Sequence, residues 1–409
     1  MKNEIAFFCK LKLIIQKKRL RGVVKLVRMT DRLDMAEVPI AARYMERHLD
    51  RTPVILYDIV RMDGLEIELY GKMDTLNPGG SFKHRGAEYF MYKHMESGDL
   101  RSGDTVVTAS AGNHAKGVAA AARAYNRNLR AKIFMSTTTP RMKIDGTREL
   151  GADVELFGGN YSETAEEALE FARRHNFVYV PAYEHQDIIL GQSTIATEVF
   201  AQTESSYDPD FFIVPFGGGG LGNGIGLAAD YRDKKVQGEG WKNKTKTWVF
   251  GVQAENFNTA TRSYRAGRVV PYEPMGDTVA DGIRVPKASP EMLELSQMYI
   301  DDMFDVTEGQ IRQAIRNVYH SSLITQYQQL PSHELTSYHR FHSNHIPRVG
   351  RMNIVEGAAA AAFACAAAED KIHAIARHIH PRKKIVGVVV ASGNNIDQSL
   401  LDEILQEQA

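Results

Sequence analysis

Residues 77–86, Asn-Pro-Gly-Gly-Ser-Phe-Lys-His-Arg-Gly, set one lysine, Lys83, on a Gly-rich turn just ahead of a helical pattern. An amine shielded from water and close to other positive charge gives up its proton more readily and becomes a nucleophile, able to form a Schiff base with an aldehyde. His84 and Arg85 stand beside it. Gly-Gly and Asn-Pro are also ordinary turn formers, so the stretch alone reads equally well as a turn with an exposed helix start.

Three further segments have the same strand-to-turn character. In residues 108–122, Thr-Ala-Ser-Ala-Gly-Asn-His leads from an apolar run into an alanine-rich helical pattern. Small residues let backbone approach a ligand there, and a helix N-terminus offers free N–H groups to an anion such as a substrate carboxylate. Asn113 can donate to a phenolate-type oxygen, or serve merely as an N-cap. In residues 211–226 an apolar strand runs into four glycines and a helix, where successive amides can cradle a phosphate. Gly217, Gly219 and Gly222 also satisfy G-x-G-x-x-G, but a dinucleotide site wants an acid ending the next strand about 20 residues on. The next strand-like run ends at Gln253-Ala-Glu255, too far along. Residues 384–397 read as a buried parallel-type strand that delivers Ser392 to a turn, a place where ligands of open α/β sheets collect. Alone, that segment is an ordinary Ser-Gly-Asn turn.

In this order and at these separations, the four segments resemble the pyridoxal-phosphate enzymes of the tryptophan-synthase-β type, fold type II, and within them the threonine/serine dehydratases. The resemblance runs from about Ile40 to Leu405 and includes Arg51-Thr-Pro53, Lys143 with Thr147-Arg-Glu-Leu-Gly-Ala-Asp153, Gly191-Gln-Ser-Thr-Ile195 and Ala280-Asp-Gly-Ile283. It implies that Lys83 holds pyridoxal 5'-phosphate with Phe82 packed beside it. Asn113 would bind the ring hydroxyl, the amides of Gly217, Gly218, Gly219, Gly220 and Leu221 the phosphate, and Ser392 the pyridine nitrogen. Ser110, Ala111, Gly112 and His114 would line the substrate loop. Lys83, once displaced by the substrate amine, would take the Cα proton, which requires it neutral near working pH. A neutral Ser392 draws charge less completely into the ring, favouring prompt loss of a β-hydroxyl.

Related racemases carry a serine where Ala111 stands, and Ala111 has no proton to give. Threonine synthases share Asn77-Pro78, whereas His114 matches the dehydratase loop. The expected activity is therefore a pyridoxal-phosphate-dependent ammonia-lyase converting threonine or serine to a 2-oxo acid and ammonia. Another β-elimination or replacement enzyme, such as a threonine synthase-like enzyme, a hydroxyaspartate dehydratase or a racemase, is the alternative, and a non-catalytic ligand-binding relative a more distant one. Tyr183, Glu184 and His185, where relatives often have Phe and Asp, are expected near the side-chain pocket. One substrate methyl is worth only ~1–3 kcal/mol in such a pocket, so the sequence does not rank threonine, serine and a 3-hydroxyaspartate against one another.

A 409-residue chain, 43% hydrophobic, can bury a substantial core in two domains or one large one. Zero formal net charge gives no electrostatic reason to expect nucleic acid. Two cysteines, Cys9 and Cys365, make no disulfide framework and fit a cytoplasmic protein. No run approaches a membrane span. Strand-like runs at 67–70, 105–108, 132–135, 177–180, 211–214, 248–252 and 385–390 alternate with helical stretches such as 163–175. The expected class is α/β, with two open, mostly parallel sheets covered by helices. The resemblance implies a larger cofactor domain (39–104 and 183–409), a smaller inserted domain (105–182) with the substrate cleft between them, and a homo-oligomer, dimer or tetramer.

Three parts depart from the pattern. Residues 1–28 hold nine lysines and arginines against Glu4, with no long apolar core for a secretory signal and no serine for a transit peptide. Residues 1–38 are expected to be a basic extension outside the catalytic fold, with Met29 or Met35 as the working start; attachment to a membrane surface is the alternative. Residues 319–352 read as an insertion containing His320, His333, His339, His342 and His345. With little carboxylate or thiol support and with Pro331 and Pro347, a solvated loop is expected there rather than a metal site. Gln253 stands where some relatives place a cation-binding glutamate, and an amide lacks the charge a hard cation wants, so no metal is expected. No C-terminal regulatory domain is expected after Ala409.

Overall fold

The computed structural model describes residues 29, 33–124, 127–203, 208–238, 246–273, 276–286, 288–321, 354–379 and 384–407. Along the chain run α1 (Val38–His48), β1 (Val54–Met62), β2 (Leu65–Lys72), α2 (Lys83–Glu96), β3 (Thr105–Ala109), α3 (Asn113–Arg123), β4 (Arg130–Met135), α4 (Arg141–Arg148), β5 (Asp153–Leu156), α5 (Tyr161–His175) and β6 (Val178–Tyr179). There follow α6 (Gln186–Thr203), β7 (Phe211–Pro215), α7 (Gly220–Gly238), β8 (Trp248–Ala254), α8 (Thr259–Ala266), α9 (Pro290–Tyr299), β9 (Asp302–Val306), α10 (Glu308–Tyr319), α11 (Gly357–Ala367), α12 (Glu369–His378), β10 (Lys384–Val390) and α13 (Gln398–Gln406).

The strands form two sheets. One has six strands in the order β1-β2-β10-β7-β8-β9, the other four in the order β5-β4-β3-β6. Every pairing is parallel except the β1–β2 hairpin, whose Asp63-Gly64 turn has positive φ at both residues, as a two-residue hairpin requires. This is the expected α/β class. Strands β7 and β10 are buried on both faces, so their sequences, Phe-Phe-Ile-Val-Pro and Lys-Ile-Val-Gly-Val-Val-Val, run apolar without alternation.

A largely buried ionic network ties β2, α2 and α6 together ahead of the site. Arg85 donates through Nε and Nη2 to Asp74, at 2.8 and 3.0 Å, and through Nη1 to Glu198 at 2.8 Å. Lys72 also pairs with Glu198 and donates to the Thr52 carbonyl at 2.6 Å. Burial holds the Lys72 amine below its usual range, against the pull of Glu198.

The expected extension ends earlier than residue 38. Met29, Leu33 and Val38 are buried in the same apolar cluster as Ile189, Phe200 and Phe212, so the described part of 1–38 belongs to the core. Residues 1–28 lie outside the described residues, as do His333, His339, His342 and His345, whereas His320 caps the end of α10. Among the described residues, no helix is long and apolar enough to cross a membrane.

Candidate active site

The turn before α2 needs glycine twice in succession: Gly79 and Gly80 both take φ near +80°, and a β-carbon on Gly80 would stand 2.3 Å from Asn394 Oδ1. The turn is pinned to the end of β10 by the Phe82 N–H, which donates to the Ser392 carbonyl at 3.0 Å. From the other side α3 presses against it at Gly117, where a β-carbon would meet Lys83 backbone at 2.8 Å. Lys83 therefore starts α2 in a fixed place. Its Nζ donates to the Ala182 carbonyl at 2.9 Å and sits 5.1 Å from the Phe82 ring centre.

Burial pulls the Lys83 amine down to about 8, while Glu356 opposes the shift. The sequence suggested shielding from water together with neighbouring positive charge; burial is the cause, and the neighbouring charge is not. Arg85 points into the Asp74–Glu198 network, and the buried His84 is held down at about 4, hence neutral at pH 7.

Strand β7 delivers Gly217, Gly218 and Gly219 to the N-terminus of α7, which opens at Gly220 and Leu221. The Tyr183 ring lies so close to this loop that a β-carbon on Gly218 would stand 2.6 Å from it. Gln253 is spent on the same loop: Nε2 donates to the Phe216 carbonyl at 3.0 Å and Oε1 accepts from the Thr261 N–H at 2.8 Å. A carboxylate could not make the first of these bonds.

Asn113 opens α3 and donates through Nδ2 to both oxygens of Glu356, each at 2.7 Å, leaving its own Oδ1 buried without a partner. Glu356 is the residue the sequence reading missed. Nothing local marks it except an acid ahead of an alanine-rich helix. Burial, then Asp281, push its carboxyl up to about 7, with the Asn113 bonds opposing. His114, buried and close to Lys83, is held down at about 3 and lies 3.1 Å from the Val180 carbonyl through Nε2.

All of Phe82, Lys83, Ser110, Ala111, Gly112, Asn113, His114, Gly217, Gly218, Gly219, Gly220, Leu221 and Ser392 line one cavity of about 300 Å³. Tyr183, Lys143, Asp281, Glu356 and Asn395 line it too. Lys143 Nζ donates to Asp281 at 3.0 Å and Lys116 Nζ to Asn395 at 2.7 Å, so both contacts join the four-stranded layer to the six-stranded one at the cavity. Glu184 and His185, expected beside it, are not in its wall. Glu184 accepts from Ser289 at 2.6 Å, and the His185 ring meets Phe90 edge-on.

These residues fit pyridoxal phosphate. An amine pulled down toward neutrality, a glycine cradle at a helix N-terminus and a buried, unpartnered Asn113 Oδ1 meet in one cavity.

The family model for pyridoxal-phosphate dependent enzymes matches residues 45–326. The L-threonine ammonia-lyase of Thermotoga maritima is 31% identical over 92% of this chain and 79% of its own. Two other curated threonine dehydratases, from Pasteurella multocida and Solanum lycopersicum, are longer, and the chain spans 52% and 48% of them. The processed threonine deaminase isoform 2 of Solanum lycopersicum superposes with a TM-score of 0.68 at 27% identity, covering 94% of this chain and 93% of that one. Maize serine racemase, at 21% identity, shares the fold with a TM-score of 0.70 over 90% of this chain and 96% of its own.

The chain belongs to the pyridoxal-phosphate dependent enzymes. Within that family it is a lyase of the ammonia-lyase group, and pyridoxal phosphate is its cofactor.

Proposed function

We propose that this enzyme eliminates water from a small 2-amino-3-hydroxy acid, L-threonine or L-serine, giving a 2-oxo acid and ammonia. The observation that carries the reading is the pairing, in one cavity, of an amine at about 8 with an alanine at position 111. Pyridoxal phosphate, when bound, supplies the electron sink for charge developing at the substrate Cα. Lys83 and Phe82 hold the cofactor together with Asn113, Ser392 and the amides of residues 217–221, whose N–H groups at the start of α7 favour its phosphate.

The substrate carboxylate sits on the loop formed by Ser110, Ala111, Gly112 and His114, at the N-terminus of α3. His114, neutral and with its Nε2–H donated to the Val180 carbonyl, packs against this loop without competing as an acid. Lys83 Nζ takes the Cα proton, which its depressed pKa allows at neutral to mildly alkaline pH. The Cβ–O bond breaks, the hydroxyl leaves as water with a proton returned from the site, and the enamine released hydrolyses to oxo acid and ammonia. Ala111 cannot deliver a proton to the opposite face of Cα, so reprotonation to the D-isomer is disfavoured.

The working unit is a homo-oligomer, dimer or tetramer, in the cytoplasm. The test of the reaction is product partition. Holoenzyme given L-threonine or L-serine should release oxo acid and ammonia in equal amounts without the D-isomer. D-amino acid accumulating ahead of oxo acid would make the enzyme a racemase instead.

A further inference from the structure

The cluster of His94, His185 and Asp187 lies behind the cavity wall, outside the cofactor site. His94 is near the end of α2, His185 immediately precedes α6, and Asp187 is in the first turn of α6. One ligand atom from each falls within 4.8 Å of the other two. From these positions we infer that the three side chains form a binding site for a borderline divalent cation of the zinc class.

Two imidazoles and one carboxylate are a donor set suited to Zn²⁺ or Co²⁺, which take nitrogen and oxygen ligands at about 2.0–2.2 Å and keep an open position for water. The ring centres of His94 and His185 lie 6.0 Å apart, close enough for both to reach one ion. Asp99 Oδ2 stands 3.5 Å from His94 Nδ1. At that distance the carboxylate makes no hydrogen bond to the buried Nδ1 but adds negative charge beside the ring. His185 Nδ1 accepts from the Asp187 N–H at 3.1 Å and has Asp187 Oδ2 at 3.6 Å, so the ring is held in place beside the carboxylate.

Asp187 supplies the independent observation. Its side chain is 7% exposed and its Oδ1 is buried with no hydrogen-bond partner. A buried carboxylate oxygen left unpaired is costly, and a cation removes that cost. Burial works against the charge on Asp187 most of all, Lys93 and the Gln186 side chain favour it, and Glu37 opposes them. The two histidine side chains are 22% and 23% exposed, which leaves an ion a way in.

The position gives the ion a consequence for the enzyme. His185 N–H donates to the Tyr183 carbonyl at 3.0 Å, and the preceding Ala182 carbonyl accepts from Lys83. A bound ion therefore fixes the segment that carries both the partner of Lys83 and the ring packed on Gly218.

The test is equilibrium dialysis of the full-length, chelator-treated holoenzyme against Co²⁺, followed by metal analysis. One Co²⁺ per chain is expected, displaced by Zn²⁺. Loss of a supporting carboxylate typically weakens metal sites by about 10–100-fold, so losing a ligand in His185→Ala or in the isosteric Asp187→Asn should cost at least that. Circular dichroism checks that each variant is folded. His339→Asn/His342→Asn/His345→Asn should bind as the parent does. No stoichiometric Co²⁺ on the parent, or binding unchanged in a folded His185→Ala/Asp187→Asn double variant, overturns the assignment.

Discussion

Asn113 Nδ2 reaches both carboxylate oxygens of Glu356 at 2.7 Å, joining the first residue of α3 to the residue that precedes α11. The contact binds the four-stranded layer to the six-stranded one at the cavity, and it places a buried acid there whose carboxyl is raised from 4.5 to about 7.

The sign of the resulting pH dependence follows from that shift. Between 4.5 and about 7 the folded chain holds a proton that the unfolded chain has released, so stability falls as pH rises. The contribution is fully present below 4.5 and lost by the time pH passes about 7. A shift of this size corresponds to a loss of about 3 kcal/mol at most. Glu356→Gln should flatten this part of the profile. Urea denaturation of cofactor-free parent and variant across that window checks it, and parallel profiles would refute it.

The Lys83 amine, lowered from 10.5 to about 8, should make cofactor attachment pH-dependent. The rate at which added pyridoxal phosphate generates the lysine-bound absorbance band in the cofactor-free chain should rise as pH passes about 8 and level off above it. Stopped-flow absorbance over pH values on either side of 8 measures this. A midpoint near 10.5 would mean that burial does not act on this amine.

Gly218 has no room for a side chain because the Tyr183 ring lies where its β-carbon would be. Gly218→Ala should weaken cofactor binding by about tenfold or more, in the range of the ~1–3 kcal/mol cost of overpacking. Tyr183→Ala in the same chain should recover part of the loss. Fluorescence titration of cofactor into the single and double variants reads both effects, and additive losses would show that the ring is not the obstacle.

Arg85, Asp74, Glu198 and Lys72 form a buried network whose members cannot be removed singly without stranding a charge. Glu198→Ala should cost about 3–5 kcal/mol of stability, and Glu198→Gln less, since it still accepts from Arg85. Thermal or denaturant unfolding of the two variants compares them. Equal, small effects would mean that water enters and solvates the network.

Much of the cavity was legible because its parts are strand-to-helix junctions with local signatures. The Lys83 turn, the Ser-Ala-Gly-Asn loop, the four glycines and the Ser392 turn each stand where a parallel strand ends or a helix starts, and all line one cavity. Glu356 was not legible as part of it, because its meaning depends on Asn113, 243 residues away. Arg85 was misjudged for the same reason: adjacency to Lys83 suggested mutual repulsion, whereas Asp74 and Glu198 consume its charge. Strands β5 and β9 escaped the pattern because both lie at sheet edges and carry acids among few apolar residues. The hairpin strand β1, also at an edge, is only partly buried.

Lys83 and its cavity are proposed to carry pyridoxal phosphate for elimination from a hydroxy amino acid. The most direct measurement is the near-ultraviolet and visible spectrum of the purified chain before and after L-threonine or L-serine, with 2-oxo acid assayed in the same cuvette. A lysine-bound cofactor band that changes on addition is expected, with 2-oxobutyrate or pyruvate appearing, and both effects absent in Lys83→Ala. A band without oxo acid would contradict the substrate assignment. No band even after cofactor is supplied, or oxo acid still produced by Lys83→Ala, would contradict the site itself.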